Sequence, residues 1–224
     1  MRSPLRAAAA LAAVATLVSG CASADDWSRP HAAPTPVGVL GPGFTDPTAT
    51  PTPEATVTPR PGSWDGVHPP ADYRVVLLTA GDDRPTRALV KAVRDWAEEE
   101  DVDLRTVTAD DPARYVASVR EAIDMGPDLV VGAGNDLVDP LAAVTPSHLD
   151  QQFLVVGAEL AEPTENVTAA DWSGASFRGE GLGMSSTYDP ASFTAARCGA
   201  AVRAGVAAVL NGLTGIVVWL DDTA

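Results

Sequence analysis

Several polar residues in this chain follow directly on short apolar runs, where a side chain can meet a solute at the end of a strand. Asp82 and Asp83 come after Tyr73–Thr79, Asn135 and Asp136 after Leu129–Gly134, and Glu159 shortly after Phe153–Val156. Trp172 comes just after Asn166–Ala170. Paired carboxylates and an amide can accept or donate hydrogen bonds to a hydroxyl-bearing ligand or hold a cation, and an indole can stack or simply fill a core. Asp83 reads equally well as the cap of the helix that follows it. Gly132, Ala133 and Gly134 suggest a phosphate cradle, but a third glycine and a nearby basic residue are missing, so a strand-end turn is the preferred reading.

Enzymatic chemistry finds no foothold. Neither Ser173 nor Ser185 lies in a Gly-x-Ser-x-Gly elbow, and no acid, base and nucleophile can be grouped. His31, His68 and His148 are scattered, so no metal set forms and no cofactor is expected. Cys198 lies in an alanine-rich stretch and reads as a small core residue.

Strands alternating with helices would position these residues. Tyr73, Val75, Val76, Leu77 and Leu78 form a run that suits a central parallel strand covered on both faces. Ala88, Leu89, Ala92, Val93, Trp96 and Ala97 then fall on one helical stripe. Val102–Val107 predicts a second strand. Asp111 and Pro112 open a second helix with Tyr115, Val116, Val119, Ala122 and Ile123 on its buried face, and Gly126 and Pro127 stop it. Leu129–Val131 predicts a third strand, Leu137–Val144 a short helix interrupted at Pro140, Phe153–Val156 a fourth strand and Asn166–Ala170 a fifth. Asp189 and Pro190 would start a long helix leading into Ile216–Leu220, a final strand of open direction. The expected fold is α/β, a three-layer αβα sandwich around a mostly parallel sheet with right-handed crossovers. In such sheets ligands sit beyond the carboxyl ends of the strands, the side on which the polar residues above fall.

The chain before residue 71 is of another kind. Arg2 and Arg6 precede the apolar run Ala7–Val18, and Val18, Ser19, Gly20, Cys21 follow it, the layout of a secretory signal over residues 1–20. Small residues before a cysteine resemble the bacterial lipobox, which implies cleavage before Cys21 and its acylation. Several acyl chains, at about 0.8 kcal/mol per buried methylene, would hold the protein on the extracytoplasmic face of the cell membrane. Cleavage would take the net charge from −15 to −17, which argues against nucleic acid or anionic phosphates as partners. Residues 21–70 hold eleven of the nineteen prolines with threonines interleaved, and this composition predicts a disordered tether ahead of one α/β domain over 71–224.

Residues 73–180 resemble the amino-terminal lobe of the basic membrane protein family, the PnrA-like substrate-binding lipoproteins of nucleoside ABC importers. Asp83 and Arg84 match the family's first loop, whereas Pro85, Thr86 and Arg87 stand where it carries a serine, an aromatic and an asparagine. Met125–Gly134 matches its helix, glycine, strand and Gly-x-Gly; Asn166 and Val167 match its Asn-Val strand, and Phe177–Gly181 its Phe-Arg-x-Glu-x-Gly helix start. Gly157 and Ala158 replace a ligand-contacting aspartate. The resemblance implies a single lobe of a type I periplasmic-binding-protein-like fold, most of the second lobe being absent. It also implies a small polar solute such as a nucleoside, held weakly by Asp82, Asp83, Asn135, Asp136, Glu159 and Trp172, and an ABC permease as partner. An alternative stays open: a tethered interaction or sensor module that captures no solute and meets an envelope protein.

Overall fold

In the computed structural model the described residues are Trp27, Arg29, 32–175 and 188–220. The signal segment, Cys21, His31, the Phe177–Gly181 motif and Ser185 lie outside them.

Nine strands and four helices follow one another along these residues. The first three strands are two-residue pieces: β1 (Val37–Gly38), β2 (Thr56–Val57) and β3 (Val67–His68). The alternating part then runs β4 (Arg74–Ala80), α1 (Arg84–Glu99), β5 (Asp103–Ala109), α2 (Tyr115–Asp124), β6 (Leu129–Ala133) and α3 (Val138–Val144). It continues with β7 (Gln152–Val156), β8 (Val167–Asp171), α4 (Ala195–Leu210) and β9 (Val217–Trp219). β1 and β3 make a small antiparallel ribbon. The other seven strands form one sheet in the order β2-β9-β8-β7-β6-β4-β5, and every pairing in it is parallel, β9 included.

β4 lies inside the sheet because its side chains are apolar on both faces, and Val75 to Leu78 are fully buried. Val75 and Leu77 belong to the same half of the core as Leu89, Val93 and Trp96 of α1 and Val202 and Val206 of α4. Val76 and Leu78 face the other way, toward Val119 and Ala122 of α2 and Leu141 and Val144 of α3. The period-two alternation of β4 thus divides the core into two helix-covered halves, giving the expected three layers. On one face α4 comes so near β7 that a Cβ on Gly205 would lie 2.5 Å from a Leu154 methyl.

Two local expectations are corrected. Pro140 does not interrupt a helix: Asn135–Leu137 is a separate 3-10 turn, and Pro140 occupies the first turn of α3, where a backbone N–H has no intrahelical acceptor. Asp189 and Pro190 open only a 3-10 turn, Pro190–Ser192. The long helix starts at Ala195, where the Thr194 hydroxyl accepts from the Arg197 N–H at 3.2 Å.

The largest correction concerns the tether. From residue 32 to residue 70 the chain lies on the domain rather than apart from it. Phe44 and Trp64 are buried in the same core as Tyr73 and Trp96, and β2 adds an edge strand beside β9. Backbone bonds fasten it further, Glu54 N–H to Gly215 O at 2.7 Å and Val217 N–H to Ala55 O at 3.0 Å. An average over a proline-rich composition hides a few widely spaced aromatic anchors, and each of these removes enough apolar surface from water to order its neighbours.

Candidate functional site

β4 lies between β5 and β6, so the connections leaving its carboxyl end and that of β6 depart to opposite faces of the sheet. That divergence is the switch point at which open α/β sheets leave a crevice. Both connections carry glycines in conformations that side chains rarely adopt. Gly81 has φ +79° and Gly134 φ +122°, and a Cβ on Gly134 would come within 2.9 Å of the Ala80 carbonyl oxygen. The two loops are therefore pressed together. A Cβ at Gly81 would lie 3.7 Å from a carboxylate oxygen of Asp83 and equally 3.7 Å from one of Asp136.

The switch point accordingly joins four of the six expected ligand residues: Asp82, Asp83, Asn135 and Asp136. They are not equally available. Asp83 caps α1, its carboxylate accepting from the Thr86 N–H at 3.0 Å and from the Thr86 hydroxyl at 2.9 Å. The carbonyl of Asp82 accepts from the Arg87 guanidinium. Asn135 and Asp136 are exposed on the 3-10 turn that leads into α3.

Beside that turn is an open cleft of about 520 Å³ between the starts of α2 and α3, lined by Pro112, Tyr115, Val116, Asn135, Asp136 and Asp139 among others. Tyr115 was expected on the buried stripe of α2, yet it is only partly buried and lines the cleft together with Asp136. Partial desolvation, the negative charge and hydrogen bond of Asp136, and the charges of Asp111 and Asp110 all hold Tyr115 above its ordinary pKa. Across the notch, Tyr188 lies edge-on to Phe193 at 6.0 Å and is pushed up by desolvation and by the charges of Asp83 and Asp136. Two neutral phenols therefore border an acidic rim.

The two remaining expected residues lie elsewhere. Trp172 follows β8 on the expected rim but points inward. It is fully buried, its indole N–H donates to the Ser192 hydroxyl at 3.0 Å, and its ring meets Phe193 edge-on at 5.0 Å. It offers no free face to a solute. Glu159 is buried as well and does not line the cleft. Among the described residues no group of three or more His, Cys, Asp or Glu side chains is placed to hold a metal ion. No helix among them is long and apolar enough to cross a membrane. The sequence signal for Tyr115 was its place right after the Asp111 and Pro112 cap, at the carboxyl rim of the sheet. Tyr188 carried no such signal, since its contacts come from the chain passing Phe193.

No protein-family model matches the chain, and no curated protein matches it by sequence. Solved structures match in part. An ABC transporter solute-binding protein from Aeropyrum pernix K1 is 23% identical over 45% of this chain and 29% of its own, with a TM-score of 0.41. Another from Conexibacter woesei DSM 14684 is 20% identical over 45% and 35%, with a TM-score of 0.38. A transcriptional activator of the comK gene from Bacillus halodurans is 19% identical over 45% and 35%, with a TM-score of 0.39. The chain spans about a third of the length of these proteins. Likenesses of this extent assign no function.

Proposed function

We propose that the protein is an extracytoplasmic lipoprotein, anchored through Cys21, whose switch-point rim takes a small, hydroxyl-rich, neutral or cationic solute, nucleosides being the first class to test. The observation that carries this reading is the meeting of the β4 and β6 loops beside an open cleft, with Asp136, Asn135 and Tyr115 on its wall. Carboxylates and an amide can accept from and donate to sugar hydroxyls, and a phenol edge can pack on a ring. A phosphate-bearing solute is disfavoured by the surrounding carboxylates. Delivery to an ABC permease would follow from the lipoprotein family that residues 73–180 resemble.

Modest affinity is expected, because Asp83 is already committed to its helix cap and Trp172 to the core. The same two observations favour a second reading, a membrane-tethered interaction or sensor module without solute capture. Thermal-shift and calorimetric titration of the mature chain with a nucleoside panel separates them. Saturable stabilisation, about 2.7 kcal/mol at a hundredfold excess over Kd, supports solute binding. A flat response to the whole panel, with the protein folded, supports the second reading.

A further inference from the structure

Trp27 is remote from the cleft in space though it lies only six residues from Cys21. Its ring is 6% exposed and is held at the opposite edge of the sheet, where β4 and β5 begin. The Arg105 guanidinium lies 4.0 Å over the ring centroid and that of Arg74 5.9 Å from it. The indole N–H donates to the Asp103 carboxylate. Arg74 also reaches back to the backbone, donating to the carbonyls of Trp27 at 3.3 Å and Arg29 at 3.1 Å. A cation over an indole, a charge-assisted hydrogen bond and two backbone bonds together fix this point of the chain on the domain.

The consequence is geometric. Six residues cover at most about 20 Å even when fully extended. Without the Trp27 contact the loose stretch would run from Cys21 to the docked chain at residue 32, about 37 Å when fully extended, and would hold orientation less tightly. The seven residues of β4 separate the two edges of the sheet by about 23 Å. We infer that the amino-terminal edge of the sheet, where Trp27 docks on Arg74, Asp103 and Arg105, is the membrane-facing side of the protein. The carboxyl rim with its cleft then opens away from the lipid, toward whatever brings or takes the solute. This rests on the anchoring at Cys21 but not on the identity or existence of a solute.

Fluorescence transfer from protein to bilayer tests it. Cys198 is fully buried, and its thiol is pushed up to about 11 by desolvation, so a maleimide dye at neutral pH will go to an introduced surface cysteine. Asp124→Cys labels the end of α2 at the proposed membrane edge, and Asp110→Cys labels the end of β5 at the far rim. Each lipoprotein is reconstituted in phosphatidylcholine vesicles carrying a rhodamine lipid in the outer leaflet. Transfer at least twofold more efficient from position 124 than from 110 is expected, with the difference reduced by Trp27→Ala. Equal transfer from both positions in protein that floats with the vesicles, or stronger transfer from 110, overturns the orientation while leaving the anchor intact. Protein that does not float overturns the anchor, and the orientation with it. The two-position comparison uses unaltered Trp27, so a poorly folded Trp27→Ala variant does not decide the outcome.

Discussion

Asp83 illustrates how local bonding limits what a residue can do for function. Both of its oxygens are engaged by Thr86, so removing them costs a helix start before it costs any ligand. Asp136 is the better probe because its carboxylate is exposed and acts on a phenol instead of a cap. Its charge helps hold both Tyr115 and Tyr188 above the ordinary tyrosine value. Asp136→Asn should therefore move the tyrosinate absorbance titration to lower pH, while Asp139→Asn leaves it in place; an unshifted curve would remove Asp136 from the site. If a nucleoside binds, the same Asp136→Asn change should weaken it by roughly tenfold, the loss of about one charged hydrogen bond. Gly134 offers a second test. A methyl there would meet the Ala80 carbonyl at 2.9 Å on a backbone at φ +122°, so Gly134→Ala should destabilise the protein by about 1–3 kcal/mol in urea unfolding.

At the level of elements, the segment from residue 32 to residue 70 behaves as a strap. Proline and threonine supply most of its length, but Phe44 and Trp64 are set into the core and β2 closes the edge of β9. A long unpaired parallel edge invites aggregation, and the strap leaves in its place an edge strand of only two residues. Phe44→Ala should cost about 3–5 kcal/mol in chemical denaturation, the usual price of emptying a buried aromatic site. A disordered tether would give no measurable change, so this one variant discriminates between the composition and the fold. Trp172 and Phe193 carry a related lesson. The connection through Ser192 folds over the carboxyl end of β8 and takes up the indole that was expected to meet a ligand.

For the whole molecule, the parallel sheet with β4 between β5 and β6 decides where a cleft can form, and the helices on its two faces decide its walls. Stability at high pH is a property of the same packing. Tyr73 is fully buried, and desolvation together with the charge of Asp128 raises its pKa well above the ordinary 10.0. The fold therefore favours the neutral phenol: this contribution is complete below about pH 10 and is lost as pH rises toward the folded-state value. The thermal midpoint should stay level from pH 7 to 9 and fall above 10, with a shallower fall in Tyr73→Phe; parallel curves would show that another group governs alkaline unfolding. The strands, the helices around them and the acids at their ends were legible in the sequence, because apolar periodicity and capping are local and Asp83 and Pro127 mark their own elements. Tertiary structure alone decided that Trp172 turns inward, that Tyr115 and Tyr188 border the rim, and that Trp27, Phe44 and Trp64 bind a proline-rich segment to the domain. Each of these depends on partners distant in sequence, and burial by distant partners leaves no periodic trace in the segment that is buried.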